Sequence, residues 1–210
     1  GYVAAYPFAE VISGYTAFYL GAKSVNPDVT MEIMYTNSWN DPTVESQVAK
    51  ALIDRGCDVI SQHSDSTAPA TTAEDNGVWQ VGYNNDMIEA APNASLISPR
   101  IDWGIYVTEA VQAMIDGEEI PIDWCKGMAD GAVYLSPLNE NIAAEGTQEA
   151  IDEAAEKIKS GELHVFAGPL KGVSPEGEEY EVAEGEYYHE QEEASAPSWL
   201  YIVDGCTVVE

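Results

Sequence analysis

The chain has 210 residues, 45% of them hydrophobic, which is enough for one large domain or two small lobes around a buried core. Eight basic residues stand against 37 acidic ones, and the net charge of −29 argues against binding to nucleic acid or to an anionic membrane through a basic surface. The three cysteines, at positions 57, 125 and 206, lack the spacing of a zinc site. We therefore predict neither a metal site nor a cofactor.

Residues 1–95 alternate between short apolar runs typical of buried strands and longer runs with helical periodicity. The predicted strands are 2–6, 31–35, 58–61 and 78–83, and the predicted helices are 8–22, 43–55 and 66–76. Strands and helices that alternate across short loops indicate a parallel α/β sheet. Right-handed crossovers then place the carboxyl end of every strand at one edge of the sheet, which we call the rim.

After residue 95 the pattern is less regular. The predicted elements are a strand at 95–97, a helix at 104–115, a strand at 132–135, an exposed helix at 147–159 and a strand at 164–167. Residues 174–193 contain nine glutamates and are typical of a solvated hairpin or loop rather than a core element. Residues 199–203 and 206–209 are either terminal strands or a packing tail.

The turns that follow the predicted strands are rich in carboxylates, amides and aromatic rings. Such groups fix the orientation of a small polar ligand inside a pocket, and ligands of parallel α/β sheets bind at this edge. The five turns are Tyr6-Pro-Phe, Asn37-Ser-Trp-Asn-Asp, Gln62-His-Ser-Asp-Ser, Tyr83-Asn-Asn-Asp and Ser98-Pro-Arg-Ile-Asp-Trp.

Five runs of sequence carry a resemblance to a known family. They are GYVAAYP at 1–7, LGAKSVNP at 20–27, TNSWNDP at 36–42, ALIDRGCDV at 51–59 and GYNND at 82–86. Together they resemble the basic membrane protein (BMP) family, the substrate-binding lipoproteins of bacterial ABC importers, which include purine-nucleoside and adenine binders. The resemblance covers roughly residues 1–170.

This resemblance implies a type I periplasmic-binding-protein fold, in which two α/β lobes joined by a three-crossing hinge hold a ligand in the cleft. The chain then corresponds to the carboxyl-terminal two-thirds of the template, with an incomplete first lobe and any lipid-bearing cysteine upstream. Residues 1–95 form most of the second lobe, 96–120 the hinge crossing and a first-lobe helix, 121–170 the return to the second lobe, and 171–210 an acidic hairpin or tail. Without the rest of the first lobe, residues 1–210 are expected to bind weakly.

Two tryptophans and a tyrosine are the aromatic candidates for the site. Trp39 lies in the turn before Asp41, a good helix N-cap, and Pro42, a good first helical residue. The resemblance implies a stacking aromatic in this turn, whereas the alternative is ordinary packing. Trp103 either closes the pocket or packs at the hinge, and Tyr6 follows the first strand.

Five polar residues complete the candidate set. The resemblance implies that Asp86 accepts hydrogen bonds from the ligand, with helix capping as the alternative, and Asp65 has the same two interpretations. Asn37 and Asn85 either recognise the edge of a ring or form turns. His63 is a ligand contact, a neutral core residue or a surface group.

The predicted function is that of an extracytoplasmic, lipid-anchored and monomeric solute-binding protein that delivers a purine base or nucleoside to a membrane permease. One alternative is the ligand-sensing domain of a receptor or regulator. Another is a nucleoside hydrolase that uses Asp65 and Asp86, which would need a carboxylate spacing that sequence does not show. The sequence contains no GxSxG, HExxH or GxGxxG motif, so we expect binding without catalysis.

Overall fold

The computed structural model describes residues 1–190 and 195–210. Its strands are β1 (Tyr2–Ala4), β2 (Met31–Tyr35), β3 (Val59–His63), β4 (Trp79–Val81), β5 (Pro99–Ile101), β6 (Val133–Leu135), β7 (Leu170–Val173), β8 (Glu179–Val182), β9 (Ile202–Val203) and β10 (Cys206–Val208). Its helices are α1 (Ala9–Val25), α2 (Pro42–Asp54), α3 (Ala68–Asp75), α4 (Trp103–Asp116) and α5 (Thr147–Ser160). A 3₁₀ turn spans Met128–Asp130.

A parallel sheet of five strands, in the order β10-β2-β1-β3-β4, forms the centre of the molecule. Strand β1 lies in the middle, and its Val3 is in register with Met34 of β2 and Gln62 of β3. All three residues of β1 are buried, as expected for a parallel strand covered on both faces. The predicted parallel sheet is therefore confirmed, and the carboxyl ends of β1 to β4 share one rim.

Helices cover both faces of this sheet and create two hydrophobic clusters. Because side chains alternate along a strand, Tyr2 and Ala4 join one cluster with α1, and Val3 joins the other with α2 and α3. Helix α2 begins as predicted, since the Asp41 carboxylate accepts the N–H groups of Thr43 and Val44, both at 3.1 Å. This cap fixes the direction in which the chain leaves the Trp39 turn.

Residues beyond the first sheet form a looser unit around an antiparallel pair, β5 and β6. Neither α4 nor α5 contains a buried residue among those described. The apolar side of α4 is open to solvent, with Val107 54% and Met114 69% exposed. Within residues 1–190 and 195–210, no helix has both the length and the apolar character needed to cross a bilayer.

Two of the short predicted strands are wrong. Residues 164–167 contain no strand, because only Ala167 makes an isolated bridge, to Tyr187, while Phe166 turns into the core. Residues 95–97 also lie outside the regular strands, although Ser95 forms a parallel bridge with Gln80 and Gly82 donates its N–H to the Ile97 carbonyl. The regular strand of this region comes later, at β5.

The carboxyl-terminal segment is part of the fold. Strands β7 and β8 form a hairpin, of which only β8 lies within the predicted segment 174–193. Strand β9 pairs with the other side of β7, whereas β10 extends the main sheet beside β2. The prediction that the acidic segment stays outside the core is wrong for Val182, which is buried in the cluster under α1. The end of that segment, 191–193, lies outside the described residues. Of the two alternatives for 199–209, the structure shows strands, preceded by a buried Trp199.

Candidate aromatic site at the sheet rim

Aromatic side chains from the last residue of β3 and from the turns after β1, β2 and β4 meet at the rim. The rings of Tyr6 and Phe8 are stacked with centroids 5.2 Å apart, and Tyr6 lies 5.5 Å from Trp39. Trp39 lies 6.2 Å from the ring of His63, which lies 4.0 Å from Tyr83. We call these five residues the rim cluster. It brings three of the predicted site residues, Tyr6, Trp39 and His63, into contact.

Trp39 is partly buried, and its turn is tightly built. Asn37 adopts a positive φ of 54°, a conformation that asparagine tolerates better than most residues. The hydroxyl of Thr36 donates to the Ser38 carbonyl at 2.8 Å, and the N–H of Asp65 donates to the Trp39 carbonyl at 2.8 Å. The side chains of Asn37 and Asp65 are exposed beside this turn, so both remain able to meet a ligand.

His63 lies beneath the rim as a buried, neutral residue. Burial is the main cause that lowers the pKa of His63 to about 4, and the charge of Asp65 only partly opposes it. Its Nε2 atom lies 3.6 Å from a carboxylate oxygen of Glu10, which is therefore not a charged pair at neutral pH. Gly14 leaves room for the ring, because a Cβ there would lie 2.9 Å from His63 Nδ1. Of the three interpretations, the structure favours a neutral core residue whose ring still contacts the rim.

The two other predicted polar residues lie further along the rim. Asn85 and Asp86 line an open groove of about 770 Å³ together with Arg100 and residues 137–141. The Asp86 carboxylate accepts the N–H of Ile88 at 3.0 Å within a turn, and because no helix begins there the alternative interpretation as a helix cap does not hold. Tyr83, two residues before Asn85, connects this part of the rim to His63.

The structure does not bring Trp103 into the rim cluster. Trp103 is the first residue of α4 and is 65% exposed, and no described ring contact includes it. The preceding residue, Asp102, caps the helix by accepting the N–H of Gly104 at 2.8 Å. A role for Trp103 in closing the pocket stays a prediction.

Sequence comparison identifies the family. The profile of the Bmp family, described as ABC transporter substrate-binding protein PnrA-like, matches residues 1–167. This chain is a member of the Bmp family. The prediction from the five sequence runs is thereby confirmed, and a family of substrate-binding proteins gives no support to the hydrolase alternative.

Two curated relatives are similar to this chain over most of its length. A purine-binding protein of Brucella abortus is 40% identical over 171 residues, which are 81% of this chain and 48% of that protein. A protein of Haloferax volcanii described as an ABC transporter glucose-binding protein is 36% identical over 198 residues, 94% of this chain and 50% of that protein. The chain spans about half the length of these relatives.

Solved structures confirm the predicted fold class. An ABC transporter solute-binding protein from Conexibacter woesei superposes with a TM-score of 0.63 at 20% identity, covering 78% of this chain and 55% of that one. A transcriptional activator from Bacillus halodurans superposes with a TM-score of 0.67 at 19% identity, covering 78% and 56%. At these identities the likeness concerns the fold alone, and proteins of different roles share it.

Three residues at this rim were absent from the predicted set. Phe8 and Tyr83 belong to turns whose aromatic content is visible in the sequence, so the rim rule could have included them. Glu10 lies in the first turn of α1, and its position beside His63 depends on how α1 crosses the sheet. Nothing in the sequence around Glu10 or His63 predicts that the two side chains lie side by side.

Proposed function

We propose that this chain contributes the main ligand-binding surface of an extracytoplasmic ABC-importer substrate-binding protein, and that the ligand is a purine base or nucleoside. The observation that carries the proposal is the rim position of Trp39, partly buried between Tyr6 and His63. The name of the Brucella abortus relative, a purine-binding protein, agrees with it. Family membership supports the transport role.

Capture requires an aromatic face and polar groups at the edge of the ligand. A base stacked on a protein aromatic ring contributes about 1–3 kcal/mol, independent of which base it is. The exposed carboxylate of Asp65 and the exposed amide of Asn37 flank the Trp39 turn and can bond ring N–H groups or ribose hydroxyls. Asn85 and Asp86 then act in the adjoining groove rather than on the stacked ring.

The remaining parts of the proposal concern the whole protein. The solvent-exposed apolar side of α4 packs against the remainder of the first lobe, and the two lobes close over the ligand about the hinge. The closed form is recognised by the membrane permease. Attachment through a lipid-bearing cysteine upstream, and a monomeric state, complete the proposal.

Fluorine NMR of 5-fluorotryptophan-labelled protein tests this function and tolerates weak binding. The five tryptophans give five resonances, and Trp39→Phe identifies the one from Trp39. We expect adenine, guanine or their nucleosides to shift the Trp39 resonance in a saturable way, while glucose does not. A saturable response to glucose with none to the purines would overturn the purine assignment and favour the ligand named for the Haloferax volcanii relative.

A further inference from the structure

A fully buried carboxylate lies directly behind the rim cluster. Glu45, in the first turn of α2, has no exposed surface. One of its oxygens accepts the N–H of Asp41 at 2.9 Å. The other accepts the hydroxyls of Ser64 at 2.8 Å and Ser66 at 2.6 Å, and the N–H of Ser66 at 3.3 Å. Every described hydrogen bond of this carboxylate therefore goes to a rim turn.

The donors come from the two turns that present the proposed ligand-binding groups. Asp41 lies two residues after Trp39, and Ser64 and Ser66 are the neighbours of Asp65 on either side. The two turns are also joined directly, through the N–H of Asp65 and the carbonyl of Trp39. Glu45 thus connects both turns to the rigid start of α2.

We propose that Glu45 is a positioning residue for ligand binding: its carboxylate holds the turns after β2 and β3 in one arrangement, so that the Trp39 ring and the Asp65 carboxylate keep a fixed spacing. This inference rests on the proposed function in so far as that spacing serves a ligand. When two contacts are already held in place, less conformational entropy is lost on binding, and the affinity is higher.

Other contacts also support the start and the packing of helix α2, although the bond from the Asp41 N–H to Glu45 adds to its cap. Helix α2 already has the Asp41 cap and Pro42 at its start, and its buried side chains Val48 and Leu52 hold it against the sheet. Burying a carboxylate is costly unless all of its bonds are satisfied, and here the bonds that satisfy it organise the rim.

Glutamine cannot reproduce the pattern, although it has the same shape. If its NH₂ group replaces the oxygen that faces Asp41, it meets a backbone N–H that can only donate. If the NH₂ group takes the other position, the hydroxyls of Ser64 and Ser66 can rotate to accept, but the backbone N–H of Ser66 cannot. In either orientation one of the two turns loses a bond from a backbone N–H, so Glu45→Gln loosens the rim while leaving the side-chain volume unchanged.

The matched control is Ser46→Ala in the same helix. The hydroxyl of Ser46 bonds that of Thr72 in α3 at 2.8 Å, and this contact does not reach the rim. Both variants remove hydrogen bonds of α2, so a general loss of stability affects both. Only Glu45→Gln should disturb the turns that carry Trp39 and Asp65.

The test combines the fluorine spectrum of the free protein with binding of adenine and adenosine, both corrected for the folded fraction. We expect Glu45→Gln to move or broaden the Trp39 resonance, leave those of Trp79 and Trp199 in place, and weaken binding about tenfold, a change of about 1.4 kcal/mol. Ser46→Ala should do neither. An unchanged Trp39 resonance, or equal affinities of the two variants, would overturn the positioning role.

The spectrum of the free protein separates this proposal from the proposed function. If the wild-type chain binds no purine, the proposed function fails for residues 1–210, and the Trp39 resonance of Glu45→Gln still decides whether Glu45 holds the turn. If Glu45→Gln does not fold, Ser66→Ala provides the milder change, because it removes one hydroxyl donor and keeps the carboxylate. A Trp39 resonance unaffected by Ser66→Ala would then count against the proposal.

Discussion

The backbone N–H of Asp65 donates to the carbonyl of Trp39 at 2.8 Å, so the turns after β3 and β2 are joined across the rim. This bond is formed between backbones, and the exposed Asp65 side chain remains available beside the ring. An aromatic face and a carboxylate are therefore held as one unit. A substitution that moves either turn should therefore displace both the Trp39 ring and the Asp65 carboxylate.

Removing the Trp39 ring should weaken purine binding without unfolding the chain. We expect Trp39→Ala to lose at least about tenfold in affinity, since stacking contributes about 1–3 kcal/mol, and Trp39→Phe to keep most of it. Calorimetry with adenine and adenosine measures the difference. The control is Trp79→Ala, because Trp79 is 45% exposed and begins β4 at the opposite edge of the sheet. Equal affinities of wild type and Trp39→Ala would remove the stacking role.

Local signals were sufficient for the elements that build the rim. Strand β2 occupies the predicted residues 31–35, and α2 starts at the predicted cap, because an apolar strand and an Asp-Pro start each act over a few residues. The meeting of Tyr6, Trp39 and His63 follows from parallel topology, which places successive turns at one edge. These parts of the site could be predicted from the sequence.

Long-range contacts account for what could not be predicted. Cys206 is in register with Met31, and no periodicity links positions so far apart in sequence. Glu45 resembles any exposed helical glutamate until the fold places Ser64 and Ser66 against it. The burial of His63 likewise depends on Tyr83 and on the close approach of α1 at Gly14.

Acid should destabilise the protein partly through His63. Its pKa is lowered to about 4 in the folded state, against about 6.5 unfolded, so between these values the unfolded chain binds a proton that the folded chain does not. The stabilisation is complete above pH 6.5 and is lost as the pH falls towards 4. This contribution of His63 to the free energy of unfolding is at most about 3 kcal/mol.

Urea unfolding at several pH values measures this effect. We expect His63→Gln to show a shallower decrease in unfolding free energy between pH 7 and pH 4.5 than the wild type. The variant keeps His164, His189 and all carboxylates, so the difference between the two curves isolates His63. Parallel curves would show that His63 does not titrate differently on folding.

Trp199 should be a major contributor to stability, although its segment follows the acidic run. It is fully buried, stacks on Phe166 with centroids 4.9 Å apart, and donates its indole N–H to the Tyr201 carbonyl at 2.7 Å. We expect Trp199→Ala to lower the free energy of unfolding by about 3–5 kcal/mol. Trp103→Ala, at a 65% exposed position, should change it by no more than about 0.5 kcal/mol. Denaturant titration compares the two, and similar losses would contradict the burial of Trp199.

The net charge of −29 should make stability depend on salt. Within the part of the chain that the structure describes, six of the eight basic side chains already pair with carboxylates. Most of the 37 acidic side chains therefore have no basic partner, and their negative charges repel one another. Self-repulsion of this kind favours the expanded, unfolded chain, and salt screens it over a Debye length that shortens from about 10 Å at 0.1 M to about 3 Å at 1 M.

We therefore expect the melting temperature to rise between 0.1 and 1 M sodium chloride. Screening also weakens the surface ion pairs, but each exposed pair contributes at most about 1 kcal/mol, so the relief of repulsion dominates. Sucrose at the same water activity is the control, because it is excluded from the protein surface and screens no charge. A rise equal to that in sucrose would mean that solute exclusion suffices, and a melting temperature that falls with salt would show that the ion pairs outweigh the repulsion.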